Sequence, residues 1–343
     1  MSKPSKGDWS ALYQAAIAFQ QAKPWEWMGN EELFAIENPD DGEVGYGTIL
    51  GSGGEEFGLG MFLGEDGYSG YKKLIEEEIE AGDLEESMMA HLISMLLVDR
   101  GVLQKEDHEV IRSLGLRFRG RNAWPFFRSQ QPGYAPWFLE KGEAIFLTTA
   151  IQQALVVADE VRNGELDLLE GEAENLVLTR YYRGGKWKEE WRSVPISSRG
   201  KETYVEGIDP VKEAELYLLS DKAGAHSGSW EFDIFMLPVP IRSASGKPHF
   251  PICFLAVESK LGLVVGTNLT EPWLTLSGKQ DEIIQILKES KQLPLEMRVE
   301  SDKVKRIVEP ITRILGIKLR VTPLPVLQGA KASLYERFCG RKL

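Results

Sequence analysis

The tightest constraint in this sequence is the order of short elements in its last third. Glu231–Ile241, Ile252–Ser259 and Gly262–Leu269 each run apolar for the length of a strand, and only Lys260-Leu261 separates the last two. Lys279–Ser290 then reads as a helix and Glu296–Glu300 as a strand. Lys303–Leu315 is predicted helical, kinked at Pro310 and closed by Gly316, with Lys318–Val321 a further strand. A short helix near Ala330–Phe338 follows the proline turn at Pro323–Pro325. Three consecutive strands, then strands alternating with helices, predict an α/β domain on a mixed sheet over residues 230–343.

Residues 1–163 predict an α+β domain. A helix capped by Asp8 or Ser10 carries Leu12, Ala15, Ala16, Phe19 and Ala22 at helical spacing until Lys23-Pro24 stops it. Leu33–Asn38, Glu43–Leu50 and Phe57–Phe62 predict an antiparallel meander with turns at Pro39-Asp40-Asp41-Gly42 and Gly51-Ser52-Gly53-Gly54. Tyr68–Ala81 reads as a helix with an acidic end. Met88–Val98 suits either a strand or a buried helix, which periodicity does not separate. Glu106–Leu114 and Lys141–Arg162 read as helices, and between them lies an unusual stretch. From Leu116 to Leu139 it alternates Arg117, Arg119 and Arg121 with Leu116 and Phe118, then sets Trp124, Phe126, Phe127, Tyr134, Trp137 and Phe138 among prolines. Asn163–Glu174 is polar and acidic, so residues 164–229 are set apart as a hairpin and linker region. Its hairpin is Leu176–Tyr182 and Lys186–Val194 around Gly184-Gly185; Asp209-Pro210 opens a helix, and Ala223–Ser229 is a Gly/Ser-containing linker.

Charge separates the two ends. The chain carries 40 Lys and Arg against 52 Asp and Glu, a net charge of −12, which taken as one number argues against nucleic acid or anionic membrane. Residues 230–343, however, hold 17 basic and 12 acidic side chains for a net +5, leaving −17 on the remainder. Nucleic acid therefore stays open as a partner of the basic C-terminal domain. The 43% hydrophobic content is that of a core-forming chain, and excludes a disordered or collagenous protein. Cys253 and Cys339 form no CxxC pattern, no apolar segment follows the Met1-Ser2-Lys3-Pro4 start, and no run approaches the ~20 apolar residues that span a bilayer. These features predict a cytoplasmic protein with an unidentified protein partner and no membrane contact.

Familiar catalytic signatures are missing. There is no Walker-type phosphate loop, and Gly58-Leu59-Gly60 with Gly64 is not G-x-G-x-x-G and falls inside a hairpin pattern. Gly67-Tyr68-Ser69-Gly70 fails the nucleophile-elbow pattern at Tyr71, and His91, His108, His226 and His249 have no metal-ligand spacing. No cofactor is expected. The Arg/aromatic stretch has two readings. Arg119, Arg121, Trp124 and Trp137 are candidate binding residues, able to stack on bases or clasp a partner. The preferred reading buries the aromatic rings in a core and leaves the arginines in water. The acidic run from Glu76 to Glu86 reads as a solvated helix end rather than a metal site.

The C-terminal order is similar to the ribonuclease H-like fold, including integrase-like cores. That resemblance implies neighbouring first and fourth strands, so that Asp233 on the first would converge with Asp302, beside Glu300, at the end of the fourth. Glu336 in the terminal helix would supply a third acid. Asp233, Asp302 and Glu336 are thus the candidate catalytic residues, with Asp233 and Asp302 holding Mg²⁺ or Mn²⁺ for phosphodiester cleavage under this alternative reading. Against it, Asp302 also reads as the cap of the next helix, and many ribonuclease H-like domains lack the acids.

The whole chain also resembles an uncharacterised bacterial family of unknown function. The residues that carry the likeness are Lys23-Pro24-Trp25-Glu26-Trp27, Leu33-Phe34-Ala35-Ile36 with Gly42–Tyr46, Leu116–Pro125, Pro132-Gly133-Tyr134 with Pro136–Leu139, and Asp233–Pro238. The resemblance implies no activity. The leading reading is a binding or accessory protein with a catalytically silent ribonuclease H-like scaffold; the alternative is a metal-dependent nuclease.

Overall fold

Ser5 opens the first helix, α1 (Lys6–Ala22). Its hydroxyl accepts from the Asp8 amide at 3.2 Å while the Asp8 carboxylate accepts from the Ser5 amide at 2.7 Å. The cap expected at Asp8 or Ser10 is therefore Ser5, and Asp8 completes the box from inside the helix. At the other end Lys23 turns left-handed at φ 53° and Pro24 begins a 3-10 turn, so the helix stops where the proline requires. The computed structural model describes residues 2–75, 88–194, 207–222, 226–242, 246–290 and 292–339. The acidic end of the Tyr68–Ala81 segment and part of the Ala223–Ser229 linker lie outside them.

The chain forms two units, Met1–Arg199 and Gly200–Leu343. In the first, β1 (Phe34–Glu37), β2 (Val44–Leu50) and β3 (Phe57–Leu63) are the expected meander. The Met88–Val98 ambiguity resolves as a strand, β4 (Leu92–Val98), whose side chains alternate in burial with the period of two of a pleated backbone. Trp124-Pro125-Phe126-Phe127 belongs to a strand that sequence reading misses, β5 (Trp124–Gln130). A proline cannot donate to a ladder, but β5 is an edge strand and needs hydrogen bonds on one side only. The sheet runs β5-β4-β3-β2-β1-β6-β7, with β6 (Leu176–Arg183) parallel to β1 and β7 (Lys186–Ser193) antiparallel beyond it.

The 176–194 hairpin is thus part of the first sheet, not of a separate region beginning at residue 164. Buried Arg180 ties it down. The guanidinium donates to Gln153 at 3.2 Å, Glu160 at 3.0 Å and Glu189 at 2.8 Å. Two of those acceptors sit on α4 (Lys141–Arg162), which packs with α1 on one sheet face over Phe34, Ile36, Ile49, Met61 and Met95. The opposite face carries α2 (Gly64–Ile75), with Tyr68 and Tyr71 against Ala35, Tyr46, Phe62 and Val177. Among the described helices α4 is long and apolar enough to cross a membrane, contrary to the sequence reading, but half of that window is buried in this core.

The second unit holds α5 (Pro210–Lys222) and a five-stranded mixed sheet, ordered β12-β11-β8-β13-β14. Central β8 (Ser229–Met236) is antiparallel to β11 (Ile252–Glu258), which pairs antiparallel with β12 (Val264–Thr270). On its other side β8 is parallel to β13 (Glu296–Val299), and β13 is parallel to β14 (Lys318–Val321). The two-residue strands β9 (Ile241–Arg242) and β10 (Pro248–His249) pair on their own, so the predicted Glu231–Ile241 strand is broken after Met236. Helices α6 (Leu276–Glu289) and α7 (Asp302–Ile314) connect the later strands. Gly266 shows how closely α6 lies on the sheet: a Cβ there would stand 2.5 Å from Cγ2 of Ile286. The last helix, α8 (Pro325–Cys339), starts five residues earlier than expected, because proline is well suited to a first helical position. Leu327 and Leu334 of α8 pack on Phe235, Cys253, Leu255 and Val257.

Candidate functional site

Two places concentrate chemistry, one in each unit. In the second unit, side chains two apart on β8 share a face, so Glu231, Asp233 and Phe235 all point toward α8. Both acids are buried, at 1% and 8% exposure. Each has its partners within the unit. The Glu231 carboxylate accepts from the Leu327 amide at 2.7 Å, satisfying an otherwise orphaned N–H in the first turn of α8. Asp233 accepts from the Ile234 amide at 2.8 Å through one oxygen and forms an ion pair with Lys331 of α8 through the other. The Lys331 ammonium also lies over the Phe235 ring, 4.2 Å from its centre.

The other two acids of the predicted set stand elsewhere. Asp302 is exposed at the first position of α7; the cap is Ser301, whose hydroxyl accepts from the Val304 amide at 3.1 Å. Glu300 is exposed and accepts from the Gln328 side chain at 2.9 Å, and Glu336 is exposed on α8. Among the described residues no three His, Cys, Asp or Glu side chains gather as a metal site would need. Cys253, buried on β11, has its thiol pushed up by burial, away from the reactive thiolate form.

The second place is a groove of about 830 Å³ in the first unit. One wall is α3 (Lys105–Ser113), where Lys105, His108, Glu109 and Arg112 recur at three- and four-residue spacing and so share a face. Gly115, at φ 70°, ends α3: the Leu116 amide reaches the Ile111 carbonyl at 3.1 Å and the Gly115 amide the Arg112 carbonyl at 3.0 Å. That reversal sends Leu116–Arg119 back along the groove. The segment is then held by the Asn122 amide, which donates to the Asp99 carboxylate at 2.8 Å. Leu116 and Phe118 turn inward onto the core, Phe118 stacking 6.0 Å from Tyr13, while Arg117 and Arg119 stay exposed.

Trp124, at the start of β5, forms the floor. It meets Phe118 at 5.7 Å and the edge of His108 at 6.1 Å, and the Arg100 guanidinium lies 5.8 Å from its centre. Arg128 sets α3 against β5. Its guanidinium donates to both Asp107 oxygens, at 3.0 and 2.8 Å, between the faces of Phe126 at 3.8 Å and Phe138 at 4.6 Å. Of the four candidate binding residues, Arg119 and Trp124 meet in this groove. Arg121 is exposed but does not line it. Trp137 bridges Ser129, five residues along β5 from Trp124 and so roughly 17 Å away. Sequence reasoning missed Arg100, Lys105 and Arg112, although the 105-108-112 spacing was a readable signal.

Residues 9–180 match the family model of a domain of unknown function, DUF7309, and residues 216–335 match that of a second, DUF6930. No curated protein is similar in sequence. Among solved structures, one chain of a simian T-cell lymphotropic virus intasome in complex with PP2A regulatory subunit B56 gamma is similar at a TM-score of 0.25 and 11% identity. That likeness covers 35% of this chain and 44% of the other, too slight to bear on activity or partners.

Proposed function

Because the chain belongs to the DUF7309 family, which carries no assigned activity, we propose that it is a cytoplasmic binding or accessory protein whose second unit is a catalytically silent ribonuclease H-like scaffold. The strand order β12-β11-β8-β13-β14, with β13 and β14 parallel to β8, supports that architecture. The observation that carries the silent reading is Lys331 on Asp233. An ammonium already neutralises the one buried carboxylate of the predicted catalytic set, and repels a divalent ion from it. Glu231, its neighbour on the same face, is engaged by the N-terminus of α8. This donor set does not fit Mg²⁺ or Mn²⁺. The buried, unpaired Cys253 suits a reducing compartment.

Isothermal titration of the full chain with Mn²⁺ tests the reading. Wild type and Asp233→Asn should both lack saturable heat. Saturable binding in the wild type that Asp233→Asn abolishes would overturn it, and would favour a metal-dependent phosphodiester hydrolase using Asp233, Asp302 and Glu336.

A further inference from the structure

We propose that the groove between α3 and the Leu116–Trp124 segment binds single-stranded nucleic acid. Five cations line it, Arg100, Lys105, Arg112, Arg117 and Arg119, against one carboxylate, Glu109. The only ion pair among them in the described residues is the exposed Lys105–Glu109 contact at 3.7 Å, which water and salt screen heavily. Residues 1–199 otherwise hold 33 acidic and 15 basic side chains. The net charge of this unit therefore disfavours a polyanion, while the cations of the groove favour one there. That contrast makes the groove selective as well as attractive.

The lining distinguishes a polymer from a small molecule. Pockets for small ligands are mostly apolar with a few polar groups, whereas here charged side chains outnumber apolar ones. Cations flanking half-buried rings, Trp124 and Phe118, are the arrangement by which proteins track a phosphate backbone and stack its bases without reading sequence. Single strands offer unstacked bases to such rings; a duplex does not. Arg128 acts as a positioning residue, since its bidentate pair with Asp107 fixes α3 against β5, the strand that begins with the floor residue Trp124. This inference concerns the first unit and does not depend on the silence of the second.

The test is fluorescence anisotropy of the full chain with a labelled oligothymidylate and a labelled oligouridylate, at about 50 mM and about 200 mM salt. Wild type should bind both, more weakly at the higher salt. Arg117→Glu with Arg119→Glu, both exposed, should weaken binding by about tenfold or more and flatten the log–log salt slope by ~0.7 per lost contact. Trp124→Leu should weaken it by about fivefold to 150-fold, the range for loss of one stacked base, with thermal melting as the check that the fold survives. Lys186→Glu with Lys188→Glu makes the same charge change at the opposite edge of the sheet and should leave binding unchanged. Failure of wild type to bind, indifference to the Arg117/Arg119 reversal, or equal loss in the Lys186/Lys188 control would overturn the proposal. So would displacement of the oligonucleotide by a mononucleotide or tripolyphosphate at equal phosphate concentration, which would mark a small phosphate ligand instead.

Discussion

The two units treat charge in opposite ways. In the second, the acids nearest the sheet centre are closed off: Glu231 is taken by a helix terminus and Asp233 by Lys331. In the first, buried charge is also paired, through Arg128–Asp107 and the Arg180 cluster, but a second set of cations around Trp124 is left facing solvent. Ionised groups that are buried must have partners, because an uncompensated charge in a low-dielectric interior costs several kcal/mol. Groups at a surface carry no such obligation, and their charge is available to a ligand. Buried pairs thus hold structure in both units, and the exposed cations around Trp124 are those on which the proposed recognition rests.

The largest expected effect breaks the first unit's clamp. Arg128→Ala leaves Asp107 buried without its partner, so the unit should lose about 3–5 kcal/mol in urea unfolding followed by tryptophan fluorescence. A loss below about 1 kcal/mol would mean that the pair does not bridge α3 and β5 as described.

The matching substitution in the second unit is Lys331→Ala, with an expected loss of about 3 kcal/mol from the stranded Asp233. Combining Asp233→Asn with Lys331→Met should restore most of that stability, because an apolar or neutral replacement of a buried pair is commonly tolerated. A double variant no better than Lys331→Ala would argue that the lysine acts through packing on Phe235 and not through its charge.

A smaller effect concerns alkaline pH. Burial, reinforced by Glu65, pushes the Tyr46 hydroxyl from its ordinary 10 up to about 12. A folded-state value above the unfolded one means that the folded chain holds the proton longer, so this contribution is intact below pH 10 and is lost as pH rises toward 12. Tyr46→Phe should therefore flatten the fall of melting temperature over that window. An unchanged slope would show that Tyr46 ionises no differently in the two states.

What could be read early was local. Lys141–Arg162 and Lys318–Val321 are found at the predicted residues, since their apolar spacing or β-branched content is visible within a single element. β5 was hidden because Pro125 signals irregularity unless its strand is known to lie at an edge, a property of the whole sheet. The middle boundary was misplaced for a similar reason. The polar Asn163–Glu174 stretch looks like a linker, and only the pairing of Phe34 with Leu178 shows that the chain returns to the same sheet. In the groove, Arg119 and Trp124 were identified by residue type. Arg100, Lys105 and Arg112 joined them only through the turn at Gly115 and the clamp at Arg128.

The amino-acid order determined the helices, most strands, the succession of elements in the last third and the concentration of basic residues there, because each depends on neighbours within a few positions. Tertiary structure alone decided which charges are engaged. Lys331 lies 98 residues from Asp233 and Arg128 lies 21 from Asp107, and no periodicity couples such distances. Their pairing follows from the need to compensate ionised groups inside a low-dielectric core, and that need exists only once the sheets and helices have closed around them.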